Sequence, residues 1–216
     1  MPTVFVTGGT GFMGRSLLVE LVRRGRVVKA LVRHGSEHKL PQGCQVVHGD
    51  ALDKNSFTSQ IPPAETFVQL VGVTHPNPSK KDEFRAVDLG SARAAIEAAR
   101  LAGVKHFVYV SVAQPAPVMK FYVAVRAEVE QTIRESGLNA TILRPWYVLG
   151  PGRRWPLFLK PMYWLMEQIP ATRESARRLG LVTIEQMVGA LAYAVENPAQ
   201  GVRILGVPEI RGNPGS

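Results

Sequence analysis

The sequence has little cysteine, no long apolar run and no leader pattern at its start. Cys44 is the only cysteine, so no internal disulfide can form, and we expect it to be a small buried hydrophobe. The most apolar stretch, residues 155–169, contains one lysine, one glutamate and two prolines, and it is too short to cross a bilayer. The first residues read directly as a strand and lack the basic-then-apolar order of a signal peptide. These absences predict a cytoplasmic protein.

Several signatures of catalysis and metal binding are also missing. The sequence contains no Gly-x-Ser-x-Gly elbow, no Walker-type lysine and no carboxylate pair arranged for hydrolysis. Because His48, His75 and His106 are widely spaced, no metal site is expected. Lys and Arg number 26 against 17 Asp and Glu, and this net charge of +9 favours anionic partners such as a nucleotide phosphate. The basic residues are scattered, so specific nucleic-acid binding is not expected.

What the sequence does contain is a regular alternation of strand and helix patterns. Short β-branched runs predict strands at 3–7, 27–32, 45–48, 66–71, 104–110, 138–143 and 202–205. Apolar residues at helical spacing predict helices at 12–24, 80–102, 118–136 and 183–196. This alternation is typical of an α/β protein with a doubly wound parallel sheet, the Rossmann fold. No linker or repeat interrupts it, so residues 1–216 are expected to form a single domain.

A glycine-rich loop joins the first predicted strand to the first predicted helix. Its glycines, Gly8, Gly11 and Gly14, form a G-x-x-G-x-x-G pattern. In such loops one glycine permits a tight turn, another lets the backbone approach a pyrophosphate, and the last lets helix and strand pack closely. The helix N-terminus adds unpaired N–H groups and a positive dipole end. The residues expected to bind a dinucleotide here are Gly8, Thr10, Gly11, Phe12, Met13 and Gly14.

The end of the second predicted strand bears on the choice of dinucleotide. Sites that prefer NAD usually place a carboxylate there, about 20 residues beyond the glycines, to bind the ribose 2′-hydroxyl. This sequence has Arg33 and His34 at that place, and Glu37 is the first carboxylate. A guanidinium suits a 2′-phosphate and offers a diol no acceptor. Arg33 therefore favours NADP(H), with NAD(H) possible if Arg33 is only a solvated loop residue.

The chain resembles the short-chain dehydrogenase/reductase superfamily in its extended and atypical branches, including the NAD-dependent epimerase/dehydratase-like and nitrogen-metabolite-repressor-like proteins. The similarity extends in order over nearly the whole length. Its motifs are the loop at 4–14, Gly49-Asp50, Leu70-Val71-Gly72, the segments 87–90 and 103–111, Arg144-Pro145 and the glycines at 150–152. The resemblance implies that Asp50 accepts a hydrogen bond from the adenine amino group. The cofactor-binding residues that it adds are Asp50, Ala51, Leu70, Val71, Gly72 and Pro145.

In this superfamily a tyrosine in Tyr-x-x-x-Lys transfers a proton and the lysine binds the nicotinamide ribose. The matching positions are Tyr122 and Arg126, so an arginine replaces the lysine. Residues four apart share a helix face, and Arg126 can place positive charge near the phenol, but it cannot shuttle protons. Val112 and Ala113 hold the places of the usual catalytic hydroxyl, which leaves Ser111 as a candidate or as a serine that caps its own strand end. The resemblance implies catalytic roles for Tyr122, Arg126 and Ser111, and cofactor contacts from Tyr122 and Arg126.

The segment beyond Gly150 is short compared with the substrate domain of extended superfamily members. Residues 151–182 are expected to form a variable lid or substrate-side segment, with a loop and an amphipathic helix at 153–168. Two tryptophans, two methionines and a tyrosine between 155 and 166 suit a lid, a dimer face, ordinary core or membrane contact. Residues 153–178 are thus the candidate surface for a peripheral membrane or an acidic partner.

Two functions centred on the dinucleotide remain open for this sequence, beside a third in which the protein docks on a membrane or an acidic partner through residues 155–178. One is an NADP(H)-dependent oxidoreductase or epimerase-type enzyme for a small carbonyl or hydroxyl substrate, in which Tyr122 exchanges a proton while hydride moves to or from nicotinamide C4. The other is a non-catalytic dinucleotide-binding protein, similar to redox sensors of the nitrogen-metabolite-repressor type or to the accessory nucleotide-binding subunit of respiratory complex I. Arg126, Val112 and Ala113 favour this second function. Unrelated functions share the fold, so the fold does not choose between them.

Overall fold

The computed structural model describes residues 2–73, 77, 79–151, 174 and 178–212. Its strands are β1 Thr3–Thr7, β2 Val27–Val32, β3 Cys44–His48, β4 Thr66–Gln69, β5 His106–Val110, β6 Ala140–Leu143, β7 Tyr147–Leu149, β8 Leu181–Thr183 and β9 Val202–Leu205. Its α-helices are α1 Phe12–Arg23, α2 Lys81–Glu83, α3 Gly90–Leu101, α4 Lys120–Glu135, α5 Ile184–Glu196 and α6 Val207–Arg211. A π-helical turn, Phe84–Leu89, joins α2 to α3, and short 3₁₀ turns follow β2 and β3.

Within the described ranges, seven strands form one parallel sheet in the order β3-β2-β1-β4-β5-β6-β9. The strand order reverses at β1, which pairs with β2 on one side and with β4 on the other. Ligands of such sheets bind beyond the carboxyl ends of the strands at this reversal. The predicted doubly wound parallel sheet is confirmed. The parallel pair formed by β7 and β8 was not predicted, since each strand has only three residues.

The central strands β1, β4, β5 and β6 are buried on both faces because helices cover each of them, whereas the edge strands β3 and β9 are partly exposed. Phe5, Phe67 and Phe107 occupy one register row of β1, β4 and β5, and their ring centroids are 5.1 and 5.4 Å apart. They belong to the core cluster that α3 and α4 complete. Val4 and Val6 alternate with Phe5 along β1 and belong to the opposite cluster, which α1 and α5 complete. This packing fixes the edge of the sheet on which the glycine loop lies.

The helix predicted at 80–102 differs from the structure in its first half. It comprises α2, the π-helical turn and α3, and the wider turn changes the direction of the side chains after it. Phe84 and Asp88 are both buried in this turn. The sequence pattern did not reveal the π-helical turn, because its residues include no glycine or proline that would interrupt a predicted α-helix. Within the described ranges the other predicted elements are present, with ends that agree within two residues.

Several predictions for the C-terminal part fall outside the described residues. These are the amphipathic helix at 153–168, the aromatic segment at 155–166 and most of the surface at 153–178 and of the lid at 151–182. Of the helices in the described ranges, none combines the length and apolarity that a membrane span requires.

Candidate functional site

The glycine loop lies at the carboxyl end of β1, directly against the end of β4. Gly8 has φ +72°, and a Cβ there would lie 2.7 Å from the Leu70 carbonyl carbon. A Cβ on Gly14 would lie 2.7 Å from the Gly9 Cα. Both contacts are with backbone, which cannot move aside as a flexible side chain can. The first glycine is therefore required for a left-handed turn and the last for close approach of α1 to the loop, as predicted.

The N-terminus of α1 lies at this loop and has no capping side chain. Gly11 is the N-cap residue and offers no side-chain hydrogen bond, and the first turn contains no acidic residue. The Gly11 N–H donates to the Gly8 carbonyl oxygen at 3.0 Å, which closes the loop. The following N–H groups and the helix dipole therefore point towards bound phosphate without competition from a carboxylate. These features fit the pyrophosphate of a dinucleotide.

The predicted adenosine end lies beyond β2 and β3. Arg33 is exposed at the end of β2, and in the described structure its guanidinium has no ion pair. The rings of His34 and His48 stack with their centroids 4.2 Å apart, and Glu37 Oε1 lies 3.3 Å from His48 Nδ1. Hydrogen bonds from the backbone N–H groups of Glu37 and Gly35 lower the pKa of the Glu37 carboxyl. A positive side chain is thus available where a 2′-phosphate would lie.

The same three side chains have a second property. The ligand atoms of His34, Glu37 and His48 lie within 4.8 Å of one another, the only such group among the described residues. His48 is distant in sequence from His75 and His106, but it lies beside His34 in the fold. Strand order brings these two histidines together, because β2 and β3 are paired neighbours. Parallel stacked rings present their faces to each other, which is a poor arrangement for two ligands of one ion.

Asp50 follows β3 and the segment Leu70–Gly72 follows β4, on either side of the glycine loop that follows β1. We call this region at the carboxyl edge of the sheet the groove. Asp50 Oδ1 accepts the backbone N–H of Leu52 at 3.0 Å, so the carboxylate orders the turn after β3 while it stays exposed. Leu70, Val71 and Gly72 are half-buried directly after β4. A Cβ on Gly72 would lie 2.6 Å from Arg126 Nη2. The guanidinium therefore packs against the backbone of the predicted cofactor-side segment.

Arg126 is buried and makes several polar contacts. Its Nη2 donates to Asp88 Oδ1, and its Nη1 donates to the Val110 carbonyl oxygen at 2.7 Å and to the Tyr109 hydroxyl at 3.1 Å. Asp88 Oδ2 in turn accepts the Val73 N–H at 3.0 Å. Burial raises the pKa of Asp88, and the adjacent guanidinium opposes that rise. Arg126 is thus a fixed buried cation with its own counter-ion.

Tyr122 lies one helical turn before Arg126 on α4. Its half-buried ring has Arg126 Cζ at 5.1 Å from its centroid and the Phe84 ring at 4.9 Å. The same guanidinium carbon lies 5.6 Å from the ring centroid of Tyr109. Complete burial raises the pKa of Tyr109 far above its ordinary value, so this second phenol stays neutral. Tyr122 is the phenol of this pair that is accessible from the groove.

Ser111 belongs to a different network. It is buried, and its hydroxyl donates to Glu130 Oε1 at 2.6 Å. Glu130 also accepts from Gln114 at 2.7 Å, from Arg144 Nε at 2.9 Å and from Arg134 at 3.1 Å. Burial by itself would raise the pKa of Glu130, but the hydrogen bonds from Arg144 and Ser111 outweigh it and lower the pKa. The Ser111 proton is therefore directed at a carboxylate.

Two acids for which no role was predicted bind the predicted site residues, each in a separate network. Asp88 is the counter-ion of Arg126, and Glu130 binds Ser111 and Arg144. Tyr122, Arg126 and Glu130 are four residues apart in turn and so share one face of α4. This spacing was a signal for Glu130. Asp88 lies in the motif at 87–90, but its role as a counter-ion was not predictable there, since its burial depends on the π-helical turn and on α4.

The remaining predicted cofactor residues also lie near the carboxyl edge of the sheet. A Cβ on Gly150 would lie 2.6 Å from Phe12 Cζ, so the Phe12 ring packs on the chain after β7. The Pro145 carbonyl oxygen accepts the Ala113 N–H at 2.9 Å, which joins the segments after β5 and β6. A cavity of about 510 Å³ opens beyond these segments and β9. Among the residues that the structure describes, Gln114, Arg144, Arg178 and Glu209 line this cavity.

Comparison with known proteins agrees with this geometry. The NAD(P)H-binding family model matches residues 8–153. A ceramide reductase of Caulobacter vibrioides is 28% identical over 201 residues, which is 92% of this chain and 62% of that protein. The photosystem II assembly factor Ycf39 of Trieres chinensis is 27% identical over 146 residues, 66% of this chain and 44% of that protein. The chain thus spans less than two thirds of the length of these relatives.

Solved structures show the same fold at low sequence identity. The Bordetella bronchiseptica enzyme WbmH in complex with NAD+ superposes with a TM-score of 0.71 at 18% identity, over 95% of this chain and 75% of WbmH. MoeE5 in complex with UDP-glucuronic acid and NAD superposes with a TM-score of 0.72 at 22% identity, over 95% and 76% of the two chains. The chain belongs to the NAD(P)H-binding family, whose cofactor is a nicotinamide dinucleotide, and solved structures with bound NAD share its fold.

Proposed function

We propose that this protein is an NADP(H)-dependent reductase of carbonyl substrates, with Tyr122 as the proton donor. The observation that carries this proposal is the position of the buried Arg126 guanidinium over the Tyr122 ring, with its Cζ atom 5.1 Å from the ring centroid. A fixed cation beside a phenol stabilises the negative charge that the phenol acquires when it gives up its proton. The charge is already in place and needs no rearrangement during the reaction. Arg126 thereby supplies the electrostatic part of the role that lysine has in the superfamily.

The bound dinucleotide supplies the hydride in this reaction. Tyr122 donates its hydroxyl proton to the substrate oxygen, and Arg126 stabilises the resulting phenolate. Because Arg126 is held by Asp88 and by the Val110 carbonyl oxygen, it is a positioning residue in this proposal. The Ser111 proton is engaged by Glu130, so Tyr122 is the group that hydrogen-bonds the substrate oxygen.

We assign NADP(H) as the preferred dinucleotide because of Arg33. The exposed guanidinium lies at the end of β2, and Glu37, the first carboxylate beyond it, is engaged by the Gly35 N–H at 3.0 Å. This arrangement offers a 2′-phosphate a cation and offers a 2′-hydroxyl no free acceptor. Arg33→Asp should weaken NADPH binding at least tenfold while NADH binding is retained or improved. Equal loss of both dinucleotides in calorimetric titrations would overturn the assignment.

Relatives suggest the kind of substrate. They include the ceramide reductase and a ketoreductase of Stigmatella aurantiaca that acts on a farnesyl-substituted dihydroquinoline oxide, 28% identical over 168 residues. A 3β-hydroxysteroid dehydrogenase/isomerase of Mycobacterium tuberculosis is 31% identical over 118 residues. These names share an oxygen function on an apolar body. We therefore propose a ketone or aldehyde on an apolar body as the substrate of this protein.

The test is oxidation of NADPH, followed by its absorbance, with a panel of apolar ketones, aldehydes and quinones. Tyr122→Phe should lower kcat at least about 100-fold, the ordinary share of general acid catalysis, with little change in the NADPH dissociation constant. Tyr193→Phe removes a hydroxyl from α5, away from the groove, and serves as the matched control. Wild-type turnover that Tyr122→Phe leaves intact would contradict the assignment of the proton donor.

A non-catalytic dinucleotide-binding subunit is the second candidate. It is favoured by the internal hydrogen bonds of Ser111 to Glu130 and of both terminal nitrogens of Arg126 to Asp88 and to the Val110 carbonyl oxygen. The similarity to an assembly factor points in the same direction. This function predicts tight NADPH binding without turnover on any panel member, and an NADPH affinity that Tyr122→Phe leaves unchanged.

A further inference from the structure

A small cleft lies beside Tyr122, between the N-terminal ends of two helical segments. Its volume is about 290 Å³, near the lower end of the roughly 300–1,000 Å³ typical of small-molecule sites. The residues that line it are Lys81, Phe84, Met119, Lys120, Phe121 and Tyr122. Helices of a doubly wound fold run back from the carboxyl edge of the sheet, so their N-terminal ends lie on the same edge as the glycine loop. The cleft therefore opens next to the proposed proton donor.

The walls of the cleft are apolar. Phe84 is buried and contacts the Tyr122 ring, while Met119 and Phe121 are half-buried and pack against the same core cluster. The Arg85 guanidinium lies 5.8 Å from the Phe121 ring centroid on the outer side. These side chains can accept a ring or an alkyl segment of a ligand and remove it from water.

The rim of the cleft is positively charged. Lys81 and Lys120 are exposed, and within the described chain neither forms an ion pair. Lys80, their neighbour outside the lining, is by contrast paired with Glu83 at 3.4 Å. An ammonium group is a compact point charge, which suits a single carboxylate on a ligand. Apolar walls with a cationic rim fit a ligand that has an apolar body and an anionic end.

Met119 is held in the cleft by an unusual backbone. Its φ of 56° and ψ of 34° are left-handed, and it is the single non-glycine residue with positive φ in the described chain. Glycine adopts this conformation without the clash of a Cβ, so a methionine here is strained. Strained residues concentrate at sites where the side chain is used. The flexible thioether of Met119 is well adapted to an apolar ligand of variable shape.

We propose that this cleft selects carbonyl substrates that carry a carboxylate at the far end of an apolar body. The inference rests on the proposed reductase function and names its substrate class. The carbonyl oxygen meets Tyr122, the body contacts Phe84 and Met119, and the carboxylate meets Lys81 and Lys120. Hydride from NADPH adds to the carbonyl carbon as the C=O π bond opens, and Tyr122 protonates the oxygen. The products are a hydroxy acid and NADP+, and the phenolate recovers a proton from water.

Equilibrium binding to the full chain loaded with NADP+ tests the cleft without any need for turnover. The probes are 4-acetylbenzoate and its neutral counterpart 4-acetylbenzamide, which differ in charge and share their shape. We expect the acid to bind at least fivefold more tightly at low salt, and the double variant Lys81→Gln/Lys120→Gln to abolish this preference. Lys80→Gln, which removes the same charge outside the cleft, should keep it. Equal binding of acid and amide, or a preference that survives the double variant, overturns the proposal.

Met119→Gly provides an independent readout. It removes the backbone strain and the apolar contact together, so thermal stability should be unchanged or higher while both probes bind at least threefold more weakly. A merely structural methionine would leave probe affinity unchanged, and that result would contradict its place in the cleft.

Turnover separates this proposal from the function on which it rests. If the acid is preferred in binding but no hydroxy acid forms with NADPH, the reductase assignment fails and the ligand class stands. If acetophenone and 4-acetylbenzoate are both reduced with equal kcat/KM, the reductase assignment stands and the carboxylate preference fails.

Discussion

The buried pair of Arg126 and Asp88 leads to a sharp prediction about stability. The Asp88 side chain is 0% exposed and that of Arg126 is 8% exposed. Asp88→Asn keeps the shape but removes the counter-ion of a buried cation and turns an amide N–H₂ towards either Arg126 or the Val73 N–H. Removal of one partner of a buried pair typically costs about 3–5 kcal/mol. We expect about 3 kcal/mol here, since one acceptor oxygen is retained.

Thermal and urea unfolding measure this effect. For a chain of this length 1 kcal/mol corresponds to roughly 2–4 °C, so Tm should fall by about 6–12 °C. Glu128→Gln is the matched control, because Glu128 pairs with Arg93 at 2.9 Å on the surface, and such pairs contribute about 1 kcal/mol or less. NADPH affinity is measured separately on the folded variants.

A double-mutant cycle with Arg126→Gln decides whether the two charges act together. The double variant should be more stable than the sum of the single losses implies, by at least about 1.5 kcal/mol. A loss below about 1 kcal/mol for Asp88→Asn, or strict additivity in the double variant, would refute the view that Arg126 depends on Asp88.

Three further predictions concern the loop, the core and the Ser111 network. Gly14→Ala should raise the NADPH dissociation constant at least about tenfold in calorimetry, because its Cβ meets loop backbone, whereas Gly90→Ala within helical structure should not. Burial lowers the pKa of His106 to about 4, below its unfolded value of about 6.5, so the unfolded state binds more protons across this window and stability falls as pH falls. About 2 kcal/mol should be lost between pH 7 and 5, and His106→Gln should flatten that slope in urea unfolding. Glu130→Leu should cost about 3 kcal/mol by the same assay, because it leaves buried donors without their acceptor, and a loss below about 1 kcal/mol would show that water replaces the carboxylate.

The sequence determined the parts of the protein that depend on neighbours along the chain. The glycine loop was predictable because its turn, its close approaches and its helix start fall within seven residues, Gly8 to Gly14. The central strands were predictable because both of their faces are buried, so each of them is a nearly continuous apolar run. The position of Arg33 was predictable for the same reason, because Arg33 directly follows the last residue of β2 in the chain.

Only the tertiary structure decided what the polar residues do. Arg126 and Asp88 form an ion pair although they are 38 positions apart in the chain, on two different helical segments. The π-helical turn that contains Asp88 was not evident from the sequence pattern. His34 and His48 stack because β2 and β3 are neighbours. A charged or polar side chain takes whichever partner burial brings to it, and burial is a property of the whole packed chain. For that reason the sequence predicts the dinucleotide-binding loop, while the fold determines which buried partners Arg126, Asp88 and Glu130 have.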